Sequence, residues 1–207
     1  MVMKKIMFLL SLYWFTFNIS YAQNLKSIEI GESFPISHID HPMKSINGEE
    51  HRVSQHLHKD GLVIIFTSNN CPFVKAWEDR YKIVENLCQR YNIDMLYINS
   101  NHNKRDGDDS FKAMQAHAKK NGYTFDYLLD EQSELANTLG AKTTPHVFMF
   151  DKLSKLVYKG AIDDNYESIV DVKKFYLKDA IRSLSAGKEI EIAKTKAIGC
   201  SIKRYNP

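Results

Sequence analysis

Residues 62–67 (LVIIFT) form an unbroken apolar and β-branched run, the pattern of a strand covered on both faces of a sheet. From 73 to 91 the apolar positions 73, 77, 81, 84, 88 and 91 recur at helical spacing, which predicts a helix directly after that strand. Shorter runs predict strands at 94–98 and 124–129 and helices at 109–120 and 133–139. Asp109-Ser110 is suited to cap the first of these helices and Gly140 to end the second. Two more strands follow at 146–150 and 156–159, then a long helix over 166–186 stopped by Gly187. Ahead of all this, 28–46 alternates loosely up to Asn47-Gly48, a hairpin signal. The order predicts an α/β, three-layer sandwich with a mixed central sheet. One domain over 23–187 suffices, with an N-terminal β-hairpin extension and a C-terminal tail over 188–207.

The first 22 residues follow a different logic. Residues 1–5 are short and basic, 6–19 are apolar apart from Ser11, Thr16 and Asn18, and Ser20-Tyr21-Ala22 sets small residues before Gln23. That is the pattern of a secretory signal peptide cut after Ala22. The run falls short of the ~20 residues that span a bilayer, and no stop-transfer cluster follows. The expectation is a periplasmic or secreted protein with no stable membrane anchor after cleavage. Composition narrows the classes further. With 43% apolar residues, 5 Pro and 9 Gly, the chain is neither disordered nor low-complexity. Its net charge of +3, about +1 once Lys4 and Lys5 are removed, gives no footprint for nucleic acid. Three cysteines are too few for a disulfide-built fold, and in an exported compartment they point to disulfides or catalysis.

The chemistry concentrates at Cys71, between the predicted buried strand and the first long helix. Unpaired N–H groups and the dipole at a helix N-terminus favour a thiolate, the reactive form of cysteine. Pro72 suits a first helical position, and the polar Thr67-Ser68-Asn69-Asn70 ahead of it predicts an exposed tip. Downstream, Thr143-Thr144-Pro145-His146 precedes a strand, where Pro145 is open to either a cis bond or an ordinary trans strand entry.

Taken together, residues 36–185 resemble the thioredoxin superfamily, in its exported redoxin or peroxiredoxin-like (AhpC/TSA-type, TlpA-like) branch. The residues that carry this are 66–74 at the active-site turn and Thr144-Pro145 at the place of the family's cis-proline. The strings 70–80, 160–165 and 199–203 are similar to a peroxiredoxin-like group. The resemblance implies a thioredoxin-like fold, with Cys71 as nucleophile and Pro145 shaping the substrate groove. The chain also departs from its relatives. If Cys71 is the first cysteine of C-x-x-C, Val74 occupies the resolving position; if it is the second, Ser68 occupies the first. Either way the local dithiol is absent. Ile65 stands where thioredoxins carry a buried carboxylate. Of the peroxiredoxin helpers, Ser68 supplies the hydroxyl, but Ile64 replaces the proline and 144–150 lacks an arginine.

Cys88, on the same helical stripe as Trp77 and Val84, reads as a core thiol. For Cys200 the resemblance raises a bridge to Cys71 and a role as remote resolving residue, against a tail thiol that is free or structural. No cofactor and no metal set is expected: His56/His58 and His38/His41 are short pairs without a third ligand at a metal-site interval, and read as solvated. His146 is open to stabilising the Cys71 thiolate or to a spectator role. Residues 106–109 read as a helix-entry loop. Glu78, Asp79 and Arg80 read as a solvated or ion-paired face, with an outside role for Glu78 in proton transfer. Three functions fit. The first is a thiol–disulfide oxidoreductase acting on protein thiols or disulfides, or with a thioredoxin-like reductant. The second is a thiol-dependent peroxidase, and the third a non-catalytic peptide-binding module.

Overall fold

The structure is a computed structural model describing residues 26–205. The predicted signal peptide lies outside the described residues. After a one-turn α1 (Ile36–Ile39), β1 (Met43–Ser45) and β2 (Glu50–His51) form a hairpin across Asn47-Gly48, and a 3-10 turn, Val53–His56, leads to β3 (Gly61–Thr67). Then come α2 (Pro72–Arg90), β4 (Asp94–Asn99), α3 (Phe111–Asn121), β5 (Asp126–Leu129) and α4 (Glu134–Leu139). The chain closes with β6 (Thr143–Thr144), β7 (His146–Asp151), β8 (Leu156–Gly160), α5 (Tyr176–Ser185) and β9 (Cys200–Ser201).

Seven strands form one mixed sheet in the order β2-β1-β5-β4-β3-β7-β8, with β3, β4 and β5 parallel and β7 antiparallel to β3. Every residue of β3 is buried, as its uninterrupted apolar run predicts. Alternation sends Val63 and Ile65 to one core, with Trp77, Tyr81 and Val84 of α2, Met114 of α3 and Ile181 of α5. Leu62, Ile64 and Phe66 face the other core, closed by Leu135 and Leu139 of α4 and by Ile28 and Phe34. Helices on both faces of a mixed sheet give the expected three-layer, thioredoxin-like sandwich. Cys88 is fully buried in the first core, as a core thiol should be, and burial pushes its thiol far up.

The N-terminal hairpin extends the sheet, Lys44 and Ser45 of β1 pairing with Leu129 and Leu128 of β5. One expectation needs correction. The terminal helix is ten residues long, because 163–175 form a loop in which Asp and Asn side chains capture backbone N–H groups. Asp163 accepts from Asn165 N, Asn165 from Glu167 N and Ser168 N, and Asp164 from Lys173 N, offering that stretch an alternative to helix. Of the two alternatives for Arg80, solvated or ion-paired, the structure shows the ion pair. It is 5% exposed, and its Nε donates to Asp163 Oδ2 at 3.2 Å while Trp77 Nε1 donates to Asp163 Oδ1 at 2.7 Å. That buried ion pair ties two of the strings carrying the resemblance, 70–80 and 160–165, into one contact.

The tail is built into the fold. Residue 195 runs along β8, with Thr195 N donating to Lys159 O at 3.0 Å, and β9 pairs antiparallel with β6, Thr144 opposite Cys200.

Candidate functional site

β3 ends at Thr67, and the next four residues deliver Cys71 to the N-cap of α2, with Pro72 in the first turn. The Thr144–Pro145 bond is cis, and the Thr144 carbonyl lies over the cysteine: Cys71 Sγ donates to Thr144 O at 3.0 Å. The second sulfur comes from the far end of the chain. Cys200 Sγ sits 2.6 Å from Cys71 Sγ across 129 positions of sequence, closer than non-bonded sulfurs pack and longer than the 2.03–2.05 Å of a formed bond. Both thiols are free.

The expected exposed tip is not found. Cys71 is 4% exposed, and the reason is the tail: Gly199-Cys200-Ser201 lies across it and against the cis-proline loop. Gly199 makes that approach possible, since a Cβ there would sit 2.2 Å from Thr144 O and 2.7 Å from Thr144 C. Burial raises the Cys200 thiol first, and the neighbouring Cys71 sulfur adds to it, to about 11; the Phe73 backbone N–H acts in the opposite direction. Cys200 therefore carries its proton at neutral pH. A cleft of about 110 Å³ opens beside the pair, bordered by Asn70, Lys104, Asp108 and Lys203.

Behind the cysteine loop stands Asp109, which is buried. Its Oδ1 accepts from Asn69 N and from Asn99 Nδ2, both at 2.8 Å, and its Oδ2 from Asn101 Nδ2 at 2.8 Å. Asp108 completes the clamp through Asn69 Nδ2 and Asn70 Nδ2. Asn101 reaches the tail as well, its Oδ1 accepting from Lys203 N at 2.8 Å. One polar hub thus fixes both the Cys71 loop and the segment carrying Cys200. Of the Asp109-Ser110 pair expected to cap α3, Ser110 does so, accepting from Ala113 N, while Asp109 turns to the cysteine loop. The signal available was the density of Asn and Asp between 99 and 109.

Of the other candidates, Ser68 is buried with its hydroxyl 3.4 Å from Thr144 Oγ1, so it braces the cis-proline loop. Burial takes His146 down to about 3, and its Nδ1 accepts from Lys142 N at 3.2 Å. A neutral imidazole so engaged brings no positive charge to Cys71, which leaves the spectator role. Glu78 is committed to His117 Nε2 at 2.6 Å and Tyr123 OH at 2.8 Å. Among the described residues no arginine donates to Cys71: Arg80 serves Asp163, and Arg105 serves Asn99, Asp109 O and Asp130 O.

A cysteine at a strand–helix junction facing a cis-proline defines a thioredoxin-like redox protein. More narrowly, the chain belongs to the AhpC/TSA family, whose model matches residues 31–159. It is thus a thiol oxidoreductase or peroxidase in the general sense of that family, with thiols or peroxides as its substrate class. Among solved structures it is similar to a hypothetical protein, SMc02350, of Sinorhizobium meliloti 1021, at 27% identity and TM-score 0.79 over 88% of this chain and 98% of that one. An uncharacterised conserved protein of Geobacillus kaustophilus is 29% identical, TM-score 0.76, over 86% and 93% of the two chains. A PrxQ mutant of Xylella fastidiosa shares the fold at 16% identity, TM-score 0.59, over 78% and 98%. No curated protein matches the chain.

Proposed function

We propose that this protein is an exported thiol–disulfide oxidoreductase in which Cys71 is the nucleophile and Cys200 the remote resolving thiol. The observation that carries this reading is the 2.6 Å approach of the two sulfurs beside the Thr144-Pro145 loop. In the reducing direction, the Cys71 thiolate attacks a substrate disulfide, forming a mixed disulfide and expelling one substrate thiolate. Cys200 gives up its proton and attacks Cys71 Sγ. The second substrate thiolate then leaves, and a Cys71–Cys200 disulfide remains. Two electrons and two protons have passed to the substrate, and an external dithiol, such as a thioredoxin-like reductant, restores the pair. A partner reaches the sulfurs through the cleft bordered by Asn70, Lys104, Asp108 and Lys203, while Pro145 positions the Thr144 carbonyl that accepts from Cys71 Sγ. Export rests on the residue pattern over 1–22, with cleavage after Ala22.

Family membership supports a second reading in which the same pair reduces a peroxide. Cys71 takes one peroxide oxygen as a sulfenic acid while the alcohol departs, and Cys200 then displaces water to give the same disulfide. Against it stand Ile64 in place of the peroxiredoxin proline and the absence, among the described residues, of an arginine donating to Cys71. Reduction of a disulfide substrate and consumption of peroxide, measured side by side for wild type, Cys71→Ser and Cys200→Ser, separate these readings. Disulfide reductase activity abolished by Cys71→Ser, with Cys200→Ser accumulating mixed disulfide, is the expected result. Peroxide turnover alone would favour the peroxidase, and no turnover of either kind would leave a binding module.

A further inference from the structure

At the end of the sheet remote from Cys71, three side chains from separate segments converge. They are His51 of β2, His56 at the end of the 3-10 turn and Asp126 at the head of β5. Their ligating atoms all lie within 4.8 Å of one another. His51 Nδ1 is 3.3 Å from His56 Nε2 and 3.5 Å from Asp126 Oδ2. Ligands about 2.0–2.1 Å from a tetrahedral zinc ion stand about 3.3–3.4 Å from each other, so these two separations already match two edges of its coordination shell.

Proton placement strengthens the case. The far nitrogen of each ring faces a carboxylate: His56 Nδ1 lies 3.1 Å from Asp94 Oδ2, and His51 Nε2 lies 3.6 Å from Glu49 Oε2. The first contact favours a proton on His56 Nδ1 and so turns the His56 Nε2 lone pair towards His51 Nδ1 and Asp126. In the tautomer that leaves His51 Nδ1 unprotonated, three acceptor atoms share one space, an arrangement that a cation fits. Ser45 Oγ, 3.4 Å from Asp126 Oδ1, holds one carboxylate oxygen and leaves Oδ2 free. His56 is buried, while Asp126 is only partly covered and gives an ion a way in.

We propose that His51, His56 and Asp126 form a binding site for a divalent transition ion of the zinc class, with Asp94 and Glu49 as the carboxylates that orient the two rings. Two imidazoles and one carboxylate suit zinc and its borderline neighbours, and the fourth position is left to water. The histidine pairs apparent along the chain, His56/His58 and His38/His41, concealed the site, because its members join only when β2 folds back on β1 and β1 pairs with β5. Asp94 is level with Leu62 of β3 and Asp126, through Leu96, with Ile64. Three to five residues of β3, about 10–17 Å, and the width of β4 therefore lie between the site and the Cys71 end of the sheet, and it stands independently of the redox reading.

The test uses Co2+ as the probe, on the full-length chain carrying Cys71→Ser and Cys200→Ser so that the thiol pair cannot take the metal. One Co2+ per chain is expected, with visible d–d bands of low coordination number and no sulfur-to-cobalt charge-transfer band, and Zn2+ should displace it. Asp126→Asn and His51→Gln, both at partly exposed positions and checked for fold by circular dichroism, should each weaken binding by more than about 100-fold. Asp94→Asn should weaken it by about 10–100-fold. No stoichiometric binding, or binding unmoved by Asp126→Asn and His51→Gln, would overturn the proposal. So would a charge-transfer band from Cys88, which would place the metal elsewhere.

Discussion

Of the two sulfurs at the site, Cys200 is the one whose surroundings hold it as a thiol. Cys200 is raised to about 11 by burial and by Cys71, so in the reduced protein it rests as a thiol ready to resolve rather than to attack. Alkylation of Cys200, followed by mass spectrometry, should rise about tenfold per pH unit above neutrality and level off only near pH 11; a plateau near 8.5 would contradict this. Cys71→Ser removes one neighbour that raises Cys200 and should increase its alkylation rate at pH 8. The sign for stability follows. A folded-state value above the ordinary thiol range adds stability to the reduced protein below about pH 8.5–9, and that contribution disappears as pH climbs towards about 11. At this scale Cys71 and Pro145 were legible, because helix-start chemistry and an X–Pro step are local signals. Asp109 was not: its partners Asn69 and Asn99 lie 40 and 10 positions away, and only tertiary folding brings them to it.

Among the elements, the tail decides whether the site is complete. β9 reaches β6 only because Gly199 has no side chain to strike the Thr144 carbonyl, and Ile202 then buries against the second core while its N–H donates to Lys142 O. Gly199→Ala should therefore lift the strand off the cis-proline loop without disturbing the main sheet. The expected readout is faster modification of Cys71 by a thiol reagent, together with Cys71–Cys200 disulfide formation slowed about tenfold or more as the effective concentration falls. Unchanged rates of both would show that the tail is not held this way. Strands and the first helix were readable from periodicity because β3 and α2 are buried along whole faces. The start of α5 was misplaced by ten residues because Asp163, Asp164 and Asn165 spend their side chains on local backbone, an outcome that apolar spacing does not register.

For the whole molecule, the two ends of the described chain act on the reaction differently. Residues 28 and 34 close the second core, whereas the C-terminal segment supplies the second thiol. Joining Cys71 to Cys200 closes a loop of 129 positions, and restricting an unfolded chain of that length stabilises the oxidised form by up to about 5 kcal/mol in the loop-entropy account. The oxidised protein should accordingly melt well above the reduced one, and Cys200→Ser should abolish the difference while Cys88→Ala leaves the oxidised–reduced gap in place. Fold class was legible because it depends on the order of elements. The Cys71–Cys200 pair was raised by the family resemblance alone, and the metal-site geometry not at all, since each joins residues that only the docked tail or the closed sheet brings together. Mass mapping of the protein oxidised by a disulfide substrate under non-reducing conditions tests the central claim most directly. A peptide linking Cys71 to Cys200, with Cys88 still free, is the predicted result; a link through Cys88, or Cys71 and Cys200 both unbridged after turnover, would contradict it.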